Sequence, residues 1–83
     1  MKTINYEGRE IEITPIRFTF ADETTVQDGV LIHDTTDEFS DGDMIYGISA
    51  DAIRDADDLS QLFEDTGCTV FTRNADGTYH AEA

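Results

Sequence analysis

The run from Asp34 to Asp65, DTTDEFSDGDMIYGISADAIRDADDLSQLFED, carries eleven acidic residues and one basic one, Arg54. Carboxylates at this density could hold a metal, transfer protons or stand in for phosphates. Calcium comes first. An EF-hand loop needs oxygen ligands at fixed positions, with glycine sixth and glutamate twelfth. Placing Gly42 sixth puts Asp37 first and Asp41 fifth, but Phe39 third and Ile48 twelfth, so the motif fails. Only an irregular group of Asp37, Asp41 and Asp43 remains of the calcium reading. His33, His80 and Cys68 lack the spacing of a transition-metal site. Ser40, Ser49 and Ser60 are not set in a glycine-flanked nucleophile turn, and no glycine-rich phosphate loop occurs. The sequence therefore implies no metal, no cofactor and no enzyme.

Charge narrows the partners. Nineteen acids against five bases give a net charge of −14, and Lys2 is the one lysine. Such a field repels nucleic acid and anionic membranes and favours a basic protein surface. Adaptation to high salt would give the same composition. The chain has a single cysteine, Cys68, so no disulfide can close within it, and a small buried thiol is the ordinary reading. Lys2 is followed by Thr3, Ile4 and Asn5 rather than an apolar run. No apolar stretch approaches the ~18 residues of a membrane span. The expected location is the cytoplasm.

The acidic run must be held by something, and the flanking sequence reads as a β scaffold. Lys2–Tyr6 and Glu10–Thr14 alternate apolar and polar around a Glu7-Gly8-Arg9 turn, which predicts a hairpin. Pro15 marks an edge or a break. Ile16–Phe20 alternates again, and Ala21–Thr25 is a polar turn. Val26–His33 is a strand in which Gly29 suggests a bulge or second turn. Phe39 folds back to anchor the acidic loop or contacts a partner. Met44–Ile48 is a short buried strand. Ser49 then caps a helix through Asp65, with Ala52, Ile53, Ala56, Leu59, Leu62 and Phe63 on its apolar face. A break is expected near Asp57-Asp58, and Gly67 at C′ ends the helix. Cys68–Arg73 is a strand with either Val70 or Cys68 facing the core and Phe71 opposite. Asn74–Gly77 turns into a last strand, Thr78–Ala81. The order is β-β-β-β-β-α-β-β in a single domain, residues 1–83. The class is α+β, a small antiparallel sheet with one acidic amphipathic helix packed on one face.

Acids four apart on a helix lie ~6 Å apart along its axis, and alternate strand residues ~7 Å apart. Both spacings are on the scale of backbone phosphates. An acidic helix face and adjoining loop could thus substitute for DNA at a nucleic-acid-binding site. In size, in its lack of catalytic residues and in the run DAIRDADDLSQLFED after a short β region, the chain resembles small acidic phage anti-CRISPR proteins of the DNA-mimic type. That resemblance implies a CRISPR effector as partner, engaged at the basic surface where target DNA is read, and no direct contact with nucleic acid or membrane. Inhibition of a restriction enzyme would use the same physics. The residues expected to carry binding are Asp34, Asp37, Glu38, Asp41, Asp43, Asp51, Asp55, Asp58 and Asp65. Two readings compete with this one. The first is a non-enzymatic interaction or structural domain of a salt-adapted organism, and the second is calcium-dependent interaction.

Overall fold

The computed structural model describes residues 1–20, 24–36, 43–65 and 67–82. Asp37, Glu38, Phe39 and Asp41 lie outside the described residues, as does the start of the turn expected at Ala21–Thr25.

The class is α+β. The first hairpin joins β1 (Lys2–Tyr6) to β2 (Arg9–Phe20) with Tyr6 paired to Arg9. Its two-residue loop has positive φ at both Glu7 (51°) and Gly8 (81°), the hand of turn that matches strand twist. Asn5 accepts the Gly8 N–H at 3.2 Å. β2 then runs for 12 residues straight through Pro15, where two strands were expected. It pairs along most of its length with β3 (Gln27–Asp34) in one unbroken register.

Backbone direction explains why Pro15 is tolerated. The Glu10 carbonyl accepts the Thr35 N–H, so even-numbered residues of β2 aim their polar groups at β3. Odd-numbered residues aim the other way. On that side β1 reaches only Ile13, and β6 (Tyr79–Ala81) begins at Phe18. Pro15 falls between them, where no neighbour asks for its missing N–H.

The same strand buries different faces at its two ends. Ile11 and Ile13 point to one face, joined by Val30, Ile32 and Tyr46, and are covered by Ile53, Leu59 and Leu62 from the helical segment. Tyr6 and Phe63 meet edge-on there, with ring centroids 5.3 Å apart. Past Pro15 the inward residues are Ile16, Phe18 and Phe20, on the opposite face, packed with Ile45, Ala81, Leu31, Phe71 and Tyr79. Phe18 is fully buried.

Closure of the sheet creates that second core. Strand order is β4-β3-β2-β6-β5, with β4 Met44–Tyr46 and β5 Phe71–Arg73. Cys68 exchanges backbone hydrogen bonds with Ile45 of β4, at 2.9 and 3.0 Å. Three residues later the same segment pairs with β6, Phe71 opposite Ala81. The chain from Cys68 to Arg73 thus links the two outer strands and wraps the sheet around Phe18. The β2–β6 pair is parallel, so the sheet is mixed rather than wholly antiparallel.

Several local expectations are corrected. Gly29 is not a bulge: it pairs with Ile16 in the regular ladder. A Cβ there would lie 2.5 Å from Phe18 Cε1 and 2.6 Å from the Tyr46 carbonyl oxygen, so glycine makes room for the Phe18 ring. Phe71 shares the Phe18 core with Cys68 instead of opposing it, because the chain between Cys68 and β5 is not a single strand, and Val70 is left exposed. The helix is interrupted at Ile53–Asp55, earlier than Asp57-Asp58. Ser49 caps a one-turn 3-10 helix, Ala50–Ala52, and Asp55 caps α1, Ala56–Glu64. Asp65 ends α1 in an extended conformation, which puts Gly67 one residue beyond C′. A Cβ on Gly67 would meet the Tyr46 ring at 2.8 Å. Among the described residues, no helix is long and apolar enough to cross a membrane.

Candidate acidic interface

The segment Asp51–Asp65 holds six carboxylates and Arg54, and the sheet fixes it by burying Ile53, Leu59 and Leu62. Two of its acids build the helix start. The Asp55 side chain accepts the Asp58 N–H at 3.0 Å, the usual N-cap bond. Asp58 reaches back and accepts both the Arg54 N–H (2.9 Å) and its guanidinium Nε (3.1 Å). The backbone bond from Arg54, and then the guanidinium, hold the Asp58 carboxyl below the usual range. Arg54 is thereby neutralised within its own turn. Asp51, Asp57, Glu64 and Asp65 are exposed, and among the described residues no ion pair engages them.

The carboxylates nominated from sequence do not share one surface. Asp34 is buried, with only 9% of its area exposed. It accepts an Arg9 guanidinium N–H at 2.9 Å and the backbone and hydroxyl donors of Thr36 at 3.0 and 2.8 Å. Burial raises its pKa, but the Thr36 bonds and the Arg9 charge outweigh that and leave it lowered. It closes the end of β3 and is unavailable to a partner. Asp58 is likewise spent on the helix cap.

Asp43 lies on the other side of the sheet. The β3–β4 ladder sets Ile32 opposite Met44, so Asp43 stands beside His33, and the two side chains are bonded. His33 alternates with Ile32, whose side chain faces the helix-side core, so His33 and Asp43 face away from α1. Glu12 is the cross-strand neighbour of His33 on that back face. The bond to Asp43 raises the His33 pKa, burial opposes it, and the charges of Asp43, Glu12 and Asp34 add to the rise.

Asp51, Asp55 and Asp65 are the nominated residues that remain exposed on the helix side. Asp57 and Glu64 belong with them and were not nominated. Their signal was available, since a break at Asp55 makes Asp57 the second helical residue and turns it outward. Below this surface runs an open groove between the 3-10 turn and α1. It is lined by Ile48, Ala52, Ile53, Asp58, Gln61, Leu62, Glu64 and Asp65. Among the described residues no cluster of histidine, cysteine and acidic side chains is arranged to hold a metal.

What this arrangement can do chemically is attract and orient cations. It offers negative charges on a packed element, and among the described residues no ion pair engages Asp51, Asp57, Glu64 or Asp65. No family model, curated protein or solved structure matches the chain.

Proposed function

We propose that the protein is a small non-enzymatic inhibitor that binds the basic nucleic-acid-binding surface of a host defence complex, a CRISPR effector, and blocks target DNA by presenting carboxylates in place of phosphates. One observation carries this reading: Asp51, Asp57, Glu64 and Asp65 are exposed along one segment, packed on the sheet, whose only arginine is already taken by Asp58. From Asp57 to Glu64 the axial distance is roughly 10 Å, about three times the ~3.4 Å axial rise per phosphate of one DNA strand. A basic groove would exchange its counterions for these carboxylates as it does for DNA.

The test begins with capture of the partner from a host lysate and its identification by mass spectrometry. The combined variant Asp51→Asn, Asp57→Asn, Asp65→Asn should then bind at least roughly tenfold more weakly at low salt, mainly through slower association, with less salt dependence. Duplex DNA should compete. Unchanged affinity in that variant, or full occupancy by DNA and protein together, overturns the mechanism. Circular dichroism tests the salt-adapted alternative. The inhibitor should be folded at ~0.1 M salt, where screening extends over ~10 Å. A chain that folds only in molar salt belongs to the alternative class.

A further inference from the structure

The sheet closes on itself at one end and stays open at the other. Cys68 ties β4 to the segment that becomes β5, and Pro15, which has no N–H to offer, occupies the short stretch of β2 between β1 and β6. β1 has neither protection. Among the described residues it pairs with β2 alone, in an unbroken register without bulge or proline. The odd-numbered residues of β2 aim their backbone groups at β1, so Lys2, Ile4 and Tyr6 are the residues of β1 that bond back. Thr3 and Asn5 therefore turn their N–H and C=O groups outward. Both residues are exposed, and among the described residues no backbone hydrogen bond reaches those groups. A regular edge of this kind is a template for another strand, and proteins ordinarily blunt it with proline, bulges or charge.

The side chains on the two faces decide which strand fits. On the face covered by α1 the edge offers Ile4 and Tyr6, both half-buried, with Phe63 of α1 against Tyr6. The two bases of the hairpin, Lys2 and Arg9, lie on that same face by alternation. On the back face Thr3 and Asn5 stand beside their cross-strand partners, Glu12 and Glu10, and no base of the hairpin shares that face. Adjacent strands lie ~4.8 Å apart, so a residue added opposite Thr3 or Asn5 starts about 10 Å from those glutamates, within reach of a lysine or arginine laid across the intervening residue. A second copy of the chain fits badly. Two β1 strands paired edge to edge would set Glu10 and Glu12 of both copies on one face, between molecules that each carry −14.

We infer that β1 accepts an extended segment of the basic partner as an added strand. Its lysines or arginines lie over Thr3 and Asn5 toward Glu10 and Glu12, and the apolar residues between them sit beside Ile4 and Tyr6. Main-chain bonds hold such a segment and the alternate side chains select it. The inference rests on the basic-partner reading and adds a point of attachment outside α1.

The probe is a capped peptide, KVKVK, set against KKKVV of the same composition and against a copy of KVKVK with every peptide nitrogen methylated. The isotope-labelled protein is titrated with each while amide exchange is followed by NMR. KVKVK should slow exchange of the Thr3 and Asn5 amides several-fold and leave Ile4, already bonded to β2, unchanged. KKKVV should do so less, and the methylated copy not at all. Thr3→Pro removes one outward donor and no bond to β2, so it should fold and lose most of the response. If it unfolds, the methylated peptide carries the same test. The double variant Glu10→Gln, Glu12→Gln keeps the edge backbone and should weaken the response at low salt, with less salt dependence. No protection with KVKVK, equal protection from all three peptides, or an unchanged response in the double variant would each overturn the site. So would protection that appears without peptide and grows with protein concentration, since a second copy would then occupy the edge. A failed lysate capture counts against the inhibitor reading and leaves this titration as it stands, whereas a failed titration beside a successful capture removes the added strand and keeps the basic partner.

Discussion

The two ends of β2 solve the same problem in different ways. At the first end, Ile11 and Ile13 are roofed by a helix, and the roof's outer surface carries the exposed acids. At the second end, Phe18 is enclosed by the sheet itself, closed through Cys68 and β6. One end adds an element that can be varied on its outside without touching the core. The other leaves little to vary, since each strand that closes it also supplies core side chains. Charge in this chain therefore concentrates where a helix separates surface from core.

The largest expected effect tests whether these ends form one cooperative unit. Phe18→Ala should cost about 3–5 kcal/mol and Leu59→Ala about 2–5 kcal/mol, as large-to-small changes at fully buried sites do. Because β2 and β3 run through both cores, each variant should unfold in a single transition with the wild-type dependence on urea. A second transition, or a reduced urea slope in Phe18→Ala only, would show that the closed end opens separately while the helix end stays folded.

Gly29→Ala sharpens the contrast in the opposite sense, by adding volume. Its Cβ would meet the Phe18 ring and the Tyr46 carbonyl, and the second of these is backbone that cannot swing aside. Overpacking of this kind costs about 1–3 kcal/mol. Gly47→Ala is the comparison, since its nearest contact would be an ordinary 3.5 Å to Phe18. Equal stability losses in the two variants would remove steric need as the reason for Gly29.

These positions also show what a sequence can and cannot reveal. Strand alternation was readable because each end of β2 has a clean period of two. Which faces were buried was not, because Ile13 and Ile16 look alike until a partner covers each. Pro15 reads as a break in isolation. Its tolerance depends on β1 stopping at Ile13 and β6 starting at Phe18, which only the assembled sheet decides. Gly29 carries no local mark of the ring it accommodates. The acidic surface divides in the same way. Net charge and the helix were legible, but not which acids are spent internally. Asp34 meets Arg9 across 25 residues of sequence. Asp58 lies within reach of Arg54, yet the cap at Asp55 had to be known before its role followed.

That cap supplies the next effect in size. Asp55→Ala should cost about 0.5–2 kcal/mol, and Asp55→Asn much less, because the amide oxygen still accepts the Asp58 N–H. The pair separates two uses of one carboxylate. If Asp55 serves only as a cap, Asn restores stability and leaves binding to a basic partner unchanged. If its charge also contributes to the interface, Asn restores stability while association slows. Thermal unfolding and association rates on the same samples distinguish these outcomes.

The smallest effect lies on the back face of the helix end, where His33 bonds Asp43 beside Glu12. The charged groups that act on His33 are Asp43, Glu12 and Asp34, all acidic, and they favour its protonated form. A histidine whose pKa is raised on folding binds its proton more tightly in the folded state. Its contribution is complete below the ordinary histidine value of 6.5 and is lost as pH climbs through the raised folded value. Both side chains are partly exposed, with 43% of each accessible, so solvent screening keeps the effect small. The melting temperature should therefore sag slightly as pH rises between roughly 6 and 8, the range in which histidine changes charge. His33→Gln should flatten that slope. A slope that survives His33→Gln would assign the pH dependence to another group.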